Sequence, residues 1–218
     1  MCGITGIFNL DRGPVAPTEI KKMTDVISHR GPDDEGIFID GYIGLGHRRL
    51  SVIDLSGAAH QPMEGSDCVV VYNGEIYNFK LLRTVLESYG YVFKSNTDTE
   101  IILHAYREWG IDCIHKFNGM FAFALWDKLN KKLFLVRDKY GIKPLYFYSD
   151  DNILVFGSEI KSIIQHPKIK ADVDYYAMNE YFTFQNVFSD RTLFKGIRLL
   201  PHGCYIEISN KYLGVKRY

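Results

Sequence analysis

The sequence predicts an α+β fold built on antiparallel sheets, and three features point there. "MFAFALWD" and "KLFLVRD" flank the polar "KLNK", and "PLYFYSD" and "ILVFGS" flank Asp150-Asp151-Asn152. Both read as hairpins, apolar runs joined by a short polar turn. Helical stripes are present but do not alternate with strands in a steady βαβ rhythm, which disfavours a parallel doubly wound sheet. The 218 residues are 46% apolar and 14% aromatic, which suits one large domain or two small ones with a substantial core.

The elements follow in order. Residues 3–10 read as a buried strand in which Gly3 and Gly6 permit close backbone approach. "TEIKKMTDVISHRG" reads as a helix with Thr18 as N-cap, a stripe of Ile20, Met23, Val26 and Ile27, and Gly31-Pro32 as its stop. Short strands are expected at "GIFID", "YIGLGHRRLSVID" and "CVVVYNGEIYN". A second helix falls on "FKLLRTVLESYG", with Leu82, Val85, Leu86 and Tyr89 on one side and Gly90 at C′. A third falls on "TDTEIILHAYREWG". After the two hairpins, a short helix is expected over "EIKSIIQH" and another beginning near Asp174. The tail "KYLGVKRY" stops without a cap or turn, so the natural protein is expected to continue beyond it.

Charge and cysteine usage exclude several classes. Lys plus Arg number 26 and Asp plus Glu number 26, so nothing draws the chain electrostatically to nucleic acid or an acidic membrane. No apolar run approaches a spanning helix, and the first residues lack the basic and long apolar parts of a signal peptide. Cys2, Cys68, Cys113 and Cys204 are far apart and form no CxxC pair. A reducing cytoplasm is the simplest setting. The common phosphate-loop, dinucleotide, zincin and serine-hydrolase motifs are missing. His29, His47 and His60 are the candidate metal ligands, but their scatter reads better as structural or surface histidine.

What remains is the terminus, "MCGITGIF". Removal of Met1 would put an α-amine on the residue that carries the thiol. A free thiol has a pKa of about 8.5 and an α-amine one of about 7.7–8.0. At neutral pH part of that amine is an unprotonated base, so one residue supplies nucleophile and base together. Its companions suit an α-amino acid substrate. Arg49 offers a bidentate guanidinium for a carboxylate, Asp98 with Glu75 offers carboxylates for an ammonium, and Asn73 with the Gly74 N–H offers donors to an oxyanion. Each has a plainer reading. Arg49 can be a surface ion-pair partner, Asn73-Gly74 a hairpin turn, Asp98 a helix cap and Glu75 a solvated charge.

Together these segments resemble a known family. "MCGITGIF", "SHRGPDDEG", "GHRRLSVIDLSG", "QPM", "VYNGEIYNF", "TDTE", "GMFAFALWD", "LFLVRDKYGIKPLYF" and "FGSEIKS" run in order from residue 1 to about residue 162. The chain is similar to the N-terminal glutaminase domain of glutamine-dependent asparagine synthetases, a class II glutamine amidotransferase of the N-terminal-nucleophile (Ntn) hydrolase type. The resemblance implies a four-layer αββα sandwich of two antiparallel sheets flanked by helices. It implies one glutaminase domain over 1–218, with roughly 195–218, including "TLFKGIRLLPHGCY", leading toward a synthetase domain absent from this chain. It implies that Cys2, freed of Met1, attacks the side-chain amide of L-glutamine, forming a thioester and releasing ammonia before water releases glutamate. Asn73 and Gly74 carry over as the oxyanion hole, Arg49 to the substrate carboxylate, and Asp98 with Glu75 to its ammonium. Leu50, Val52 and Ile53 carry over as pocket lining, and Arg30 as a brace for the nucleophile loop. The expected partners are L-glutamine and a C-terminal synthetase domain, with no nucleic acid and no membrane, and a homodimer left open. No cofactor or metal is expected in this domain. ATP and magnesium belong to the synthetase domain, whose S-G-G-x-D-S-type loop does not occur in these 218 residues.

Two other readings stand beside this one. The same glutaminase can serve a synthetase-like domain with another acceptor, such as a carboxylated sugar or an antibiotic precursor. Alternatively the domain binds glutamine without turning it over and gates a partner. Loss of Cys2, Asn73 or Gly74 would mark that case, and all three are present.

Overall fold

The computed structural model describes residues 1–209 and 212–218. In chain order its elements are β1 (Gly3–Asn9), α1 (Pro17–Asp25), β2 (Asp34–Asp40), β3 (Ile43–Arg49), β4 (Met63–Glu64), β5 (Cys68–Ile76), α2 (Phe79–Ser88), α3 (Thr99–Trp109), β6 (Gly119–Asp127), β7 (Lys132–Arg137), β8 (Tyr146–Ser149), β9 (Ile153–Gly157), α4 (Ile160–Ile163), α5 (Tyr175–Phe184), β10 (Ile197–Leu199), β11 (Cys204–Ile208) and β12 (Tyr212–Arg217). Two six-stranded sheets result, ordered β10-β8-β9-β1-β3-β2 and β12-β11-β7-β6-β5-β4. The pairings are antiparallel, and both expected hairpins form, β6 with β7 and β8 with β9.

Strand alternation sorts the side chains into layers. Ile4 and Phe8 of β1, Leu45 of β3, Val69 and Val71 of β5, and Ala124 and Trp126 of β6 meet between the two sheets. On the outer face of the second sheet, Val70 and Phe123 pack under Leu82 and Leu86 of α2 and Ile101 and Ala105 of α3. On the outer face of the first, Ile7 and Val155 pack under Ile20 and Met23 of α1 and Ile163 of α4. The order is therefore helix, sheet, sheet, helix. Fully buried Trp126 ties the sheets together. Its indole N–H donates to Asp40 Oδ2 of β2 at 3.1 Å, and its ring meets Phe8 and Tyr42 edge-on at 5.9 and 5.8 Å. Burial of one such large side chain contributes roughly 1.5–3 kcal/mol. Gly6 is needed where β1 is most crowded, because a Cβ there would lie 2.4 Å from the Phe156 ring and 2.8 Å from the Gly44 carbonyl oxygen.

Several local expectations are corrected. Helix α1 starts at Pro17, not after Thr18, because proline's fixed φ and missing N–H suit the first helical position. It ends at Asp25, and Ser28–Arg30 form a separate 3-10 turn. The strand expected through Asp54 stops at Arg49, which pairs with Asp34 at the end of the β2 register. Beyond it the chain leaves the sheet, and Val52 and Leu55 are 73% and 79% exposed. The apolar "LSVI" imitated a strand without having a partner. Tyr89, expected on the buried side of α2, is exposed. The helix expected over "EIKSIIQH" is a single turn, Ile160–Ile163. Asp174 caps α5, accepting from the N–H groups of Tyr176 and Ala177 at 3.0 and 3.1 Å. β10 joins the first sheet, and β11 and β12 join the second. Asn210 and Lys211 of the tail lie outside the described residues. No helix among the described residues is long and apolar enough to cross a membrane.

Candidate active site

Alternation also places the site. Cys2 precedes Ile4 by two residues and Asn73 follows Val71 by two, so both fall on the inner faces, at the same end of the sandwich. Arg49 falls on the inner face of β3, in line with Leu45. A cavity of about 220 Å³ opens there, lined by Cys2, Arg49, Leu50, Val52, Ile53, Asn73, Gly74, Glu75 and Asp98. It is close to the size needed for one amino acid. A larger cleft of about 860 Å³ lies between β4 and α3. It lacks the terminal cysteine, so we place the chemistry in the smaller cavity.

Cys2 is half-buried, whereas Cys68, Cys113 and Cys204 are buried core residues. Burial pushes the Cys68 thiol up to about 12, which makes it inert. Burial raises the Cys2 thiol too, but the Leu50 N–H, the amino terminus, Arg49 and Arg30 pull against it. The Leu50 N–H donates to Sγ at 3.4 Å and Sγ faces the Leu50 carbonyl at 3.6 Å. Behind Cys2, Arg30 Nε donates to the Cys2 carbonyl at 2.9 Å and Nη1 to Glu159 Oε1 at 3.0 Å. The backbone of β1 is fixed next door, where Ile4 N–H donates to Ser158 Oγ at 3.0 Å. With Met1 in place the Cys2 nitrogen is an amide. Met1 is 58% exposed.

Asn73 sits mid-strand opposite Ala122, and Gly74 opposite Phe121. The hairpin-turn reading of this pair is therefore excluded. The Asn73 side chain is 1% exposed, and its Nδ2 has no hydrogen-bond partner among the described residues. A buried N–H without a partner costs about 1–3 kcal/mol, which is tolerable where a ligand supplies the acceptor. At Gly74 a Cβ would lie 2.4 Å from the Met120 carbonyl oxygen and 2.6 Å from Phe121 Cα. Glycine is required there by the close approach of β6.

Asp98 precedes α3 but does not cap it with its side chain. Its Oδ2 instead accepts from the Tyr72 hydroxyl at 2.6 Å and the Ile76 N–H at 2.8 Å. It is 3% exposed, and burial raises its carboxyl above the ordinary range. No cation pairs with it among the described residues. Glu75, half-buried, also lines the cavity and makes no ion pair among the described residues. Arg49 is 7% exposed and not a surface ion-pair partner. Its Nη1 donates to the Ser56 carbonyl at 3.1 Å and its Nη2 to that of Asp54, in the loop after β3. Leu50, Val52 and Ile53 of that loop form the rim of the cavity.

The candidate metal histidines do not gather. His29 pairs with Glu159 at 2.9 Å and His60 with Asp34 at 2.7 Å. His47 is fully buried, and its Nε2 donates to the Tyr72 carbonyl at 3.1 Å. Its burial drives it down to about 3, so it is neutral. No group of three or more His, Cys, Asp or Glu that could hold a metal occurs among the described residues.

Sequence reasoning missed Tyr72, Gln61 and Lys143. The Tyr72 N–H donates to Gln61 Oε1 at 2.7 Å, and Gln61 Nε2 donates to Thr99 Oγ1 at 3.3 Å, which ties β5 to the start of α3. "QPM" was visible as a segment, but nothing in it reveals a partner 38 residues away. Lys143 reaches the cavity from the loop before β8.

Two facing antiparallel sheets lie between helical layers, and Cys2 lines the cavity at one end of them. A family model described as a glutamine amidotransferase domain matches residues 1–218, and the chain belongs to that family. It is 39% identical over 224 residues to asparagine synthetase [glutamine-hydrolyzing] 3 of Bacillus subtilis (strain 168), covering all of this chain and 36% of that protein. It is 41% identical over 217 residues to a putative asparagine synthetase 2 of Methanocaldococcus jannaschii, covering 89% of this chain and 41% of that protein. The chain thus spans well under half the length of these relatives. Among solved structures it resembles a glutamine phosphoribosylpyrophosphate amidotransferase from B. subtilis at TM-score 0.72 and 18% identity, covering 99% of this chain and 49% of that one. An allosteric regulatory enzyme of purine biosynthesis gives TM-score 0.74 at 17% identity, again over 99% and 49%. At such identities these structures speak for the fold alone.

Proposed function

We propose that the domain, once Met1 is removed, hydrolyses L-glutamine through Cys2 and passes the ammonia to an asparagine-forming synthetase domain of the kind its relatives' names describe. Glutamine lies with its carboxylate at Arg49 and its ammonium at Asp98 and Glu75. The Cys2 α-amine takes the thiol proton, directly or through a water, and Sγ attacks the amide carbon. The oxyanion is held by Asn73 Nδ2 and the Gly74 N–H. One such donor is worth roughly 2.7–4 kcal/mol in the transition state. The amine returns its proton to the departing nitrogen, ammonia leaves, and a thioester remains. Water then attacks the thioester and glutamate is released. The steps within this domain need no cofactor; ATP and magnesium would act in the synthetase domain.

The observation that carries this reading is the unpartnered, buried Asn73 Nδ2 in the same cavity as the Cys2 sulfur, between an arginine and an unpaired aspartate. The test compares ammonia release by the Met1-free chain, by Cys2→Ala and by a chain that keeps a residue before Cys2. Only the first should turn over, with all three folded by circular dichroism. An electrophilic glutamine analogue should add one equivalent of mass at residue 2. Normal turnover with the terminus blocked would refute the proposed base.

A further inference from the structure

Lys143 is 6% exposed and lines the Cys2 cavity, yet its ammonium pairs with no carboxylate among the described residues. Its Nζ instead meets Met1 Sδ at 3.2 Å, a weak acceptor. Buried cations are ordinarily paired. The placement is also enforced. Arg137 donates to the carbonyls of Lys143 at 2.9 Å, Gly141 at 2.7 Å and Leu200 at 2.6 Å. Fully buried Asp138 accepts from the N–H groups of Phe121 at 3.2 Å, Tyr140 at 3.0 Å, Ile142 at 3.1 Å and Lys143 at 3.1 Å. Two buried charged residues thus pin the short loop against β6 and the approach to β11, and the loop aims one uncompensated charge at the first residue of the chain.

We propose that Lys143 is a positioning residue for the nucleophile: its ammonium keeps the freed Cys2 α-amine unprotonated and ready to accept the thiol proton. The inference rests on the reaction proposed above. Removing Met1 takes away the side chain that Lys143 touches and leaves the ammonium in the cavity that Cys2 also lines. The other charges around the cavity are Arg49 at the end of β3, Asp54 in the next loop, Glu75 in β5, Asp98 before α3 and the Cys2 thiol itself. Arg30 lies behind Cys2 and is paired with Glu159. Bound glutamine would place its carboxylate on Arg49 and its ammonium on Asp98 and Glu75, and Asp54 is taken up by the N–H groups of Ser56 and Asn96, so none of these groups would pair with Lys143. A like charge lining the same poorly hydrated cavity disfavours the protonated amine, by roughly tenfold for each pKa unit. Lys143 donates and accepts no proton in the cycle. The amine takes one from sulfur and returns it to the leaving nitrogen.

The test uses the Met1-free chain, verified by intact mass, with Lys143→Met and Lys143→Arg. The ascending limb of kcat/KM against pH reports the base of the free enzyme. In Lys143→Met that limb should move up by about one pH unit, with roughly a four- to sixfold loss at pH 7. Lys143→Arg should keep the wild-type limb, and Lys143→Met should melt no lower than wild type, since it removes an unpaired buried charge. An unmoved limb in a folded Lys143→Met protein, whether activity falls through KM or through kcat, would overturn the proposal. Activity surviving in Cys2→Ala would instead overturn the underlying reaction, so the two failures are distinguishable.

Discussion

Two carboxylates flank the nucleophile and are treated in opposite ways. Asp98, in the wall of the cavity, meets a tyrosine hydroxyl and a backbone N–H but no cation, and burial raises its carboxyl above the ordinary range. Glu159, behind Cys2, is surrounded by Arg30 at 3.0 Å, His29 at 2.9 Å and Lys161 at 3.2 Å. Despite some cost of burial, hydrogen bonds from those three hold it down to about 2. Glu159 has what a carboxylate needs within the fold. Asp98 has no cation partner among the described residues, as the proposed ammonium site requires. The difference separates a residue that builds the site from one that uses it, because natural folds tolerate an unmet electrostatic demand mainly where a ligand meets it.

The sharpest way to break that contrast is Asp98→Asn. Loss of one partner of a buried charge pair costs about 2–5 kcal/mol. We expect kcat/KM for glutamine to fall roughly 10²–10³-fold, measured by ammonia release. Stability should move the other way. A folded pKa above the unfolded one means the native state binds the proton more tightly, so stability declines as pH rises through the folded value. Asp98→Asn removes that slope, and denaturant midpoints at pH 7 should hold or rise. A loss in activity below tenfold would mean that Asp98 is not the ammonium anchor.

This contrast was only half legible in the sequence. The antiparallel layers were legible because alternation and hairpin turns are local. The residues Cys2, Arg49, Asn73, Gly74 and Asp98 stood out by chemical type, and the fold gathers all five around one cavity. What could not be read was partnership. Asp98 looks like a helix cap in one dimension, and only the fold turns its carboxylate to Tyr72, 26 residues earlier. "LSVI" has strand propensity but no neighbouring strand to satisfy it, so tertiary context overrides the local preference. Lys143 is hidden among 26 Lys and Arg. Its placement comes from Arg137 and Asp138, whose hydrogen bonds to backbone leave no pattern of side-chain types.

Arg49, in the lining of the same cavity, sharpens the comparison. Its fork is held by the carbonyls of Asp54 and Ser56 in an exposed loop, so the proposed carboxylate anchor depends on a loop where Asp98 depends on Tyr72 and Ile76 of a strand. Arg49→Lys keeps the charge but loses the planar fork. We expect KM for glutamine to rise about 10- to 50-fold with kcat within about threefold. A fall in kcat at unchanged KM would show that Arg49 does not bind the ground-state substrate.

Glu159→Gln should give the smallest change in activity and the clearest pH signature in stability. Arg30 keeps its bond to the Cys2 carbonyl in this variant, so kcat/KM should stay within about fivefold of wild type. Glu159 has a folded value of about 2 against an ordinary 4.5. The native state therefore releases the proton more readily, and the stabilisation is fully present above pH 4.5 and lost as pH falls toward 2. Because the carboxylate is partly solvated, we expect only about 1–2 kcal/mol at neutral pH. Urea titrations of wild type and Glu159→Gln should differ by that amount at pH 6 and converge near pH 2. A gap that persisted at pH 2 would trace the loss to packing of the side chain, and Glu159 would no longer stand as the electrostatically satisfied counterpart of Asp98.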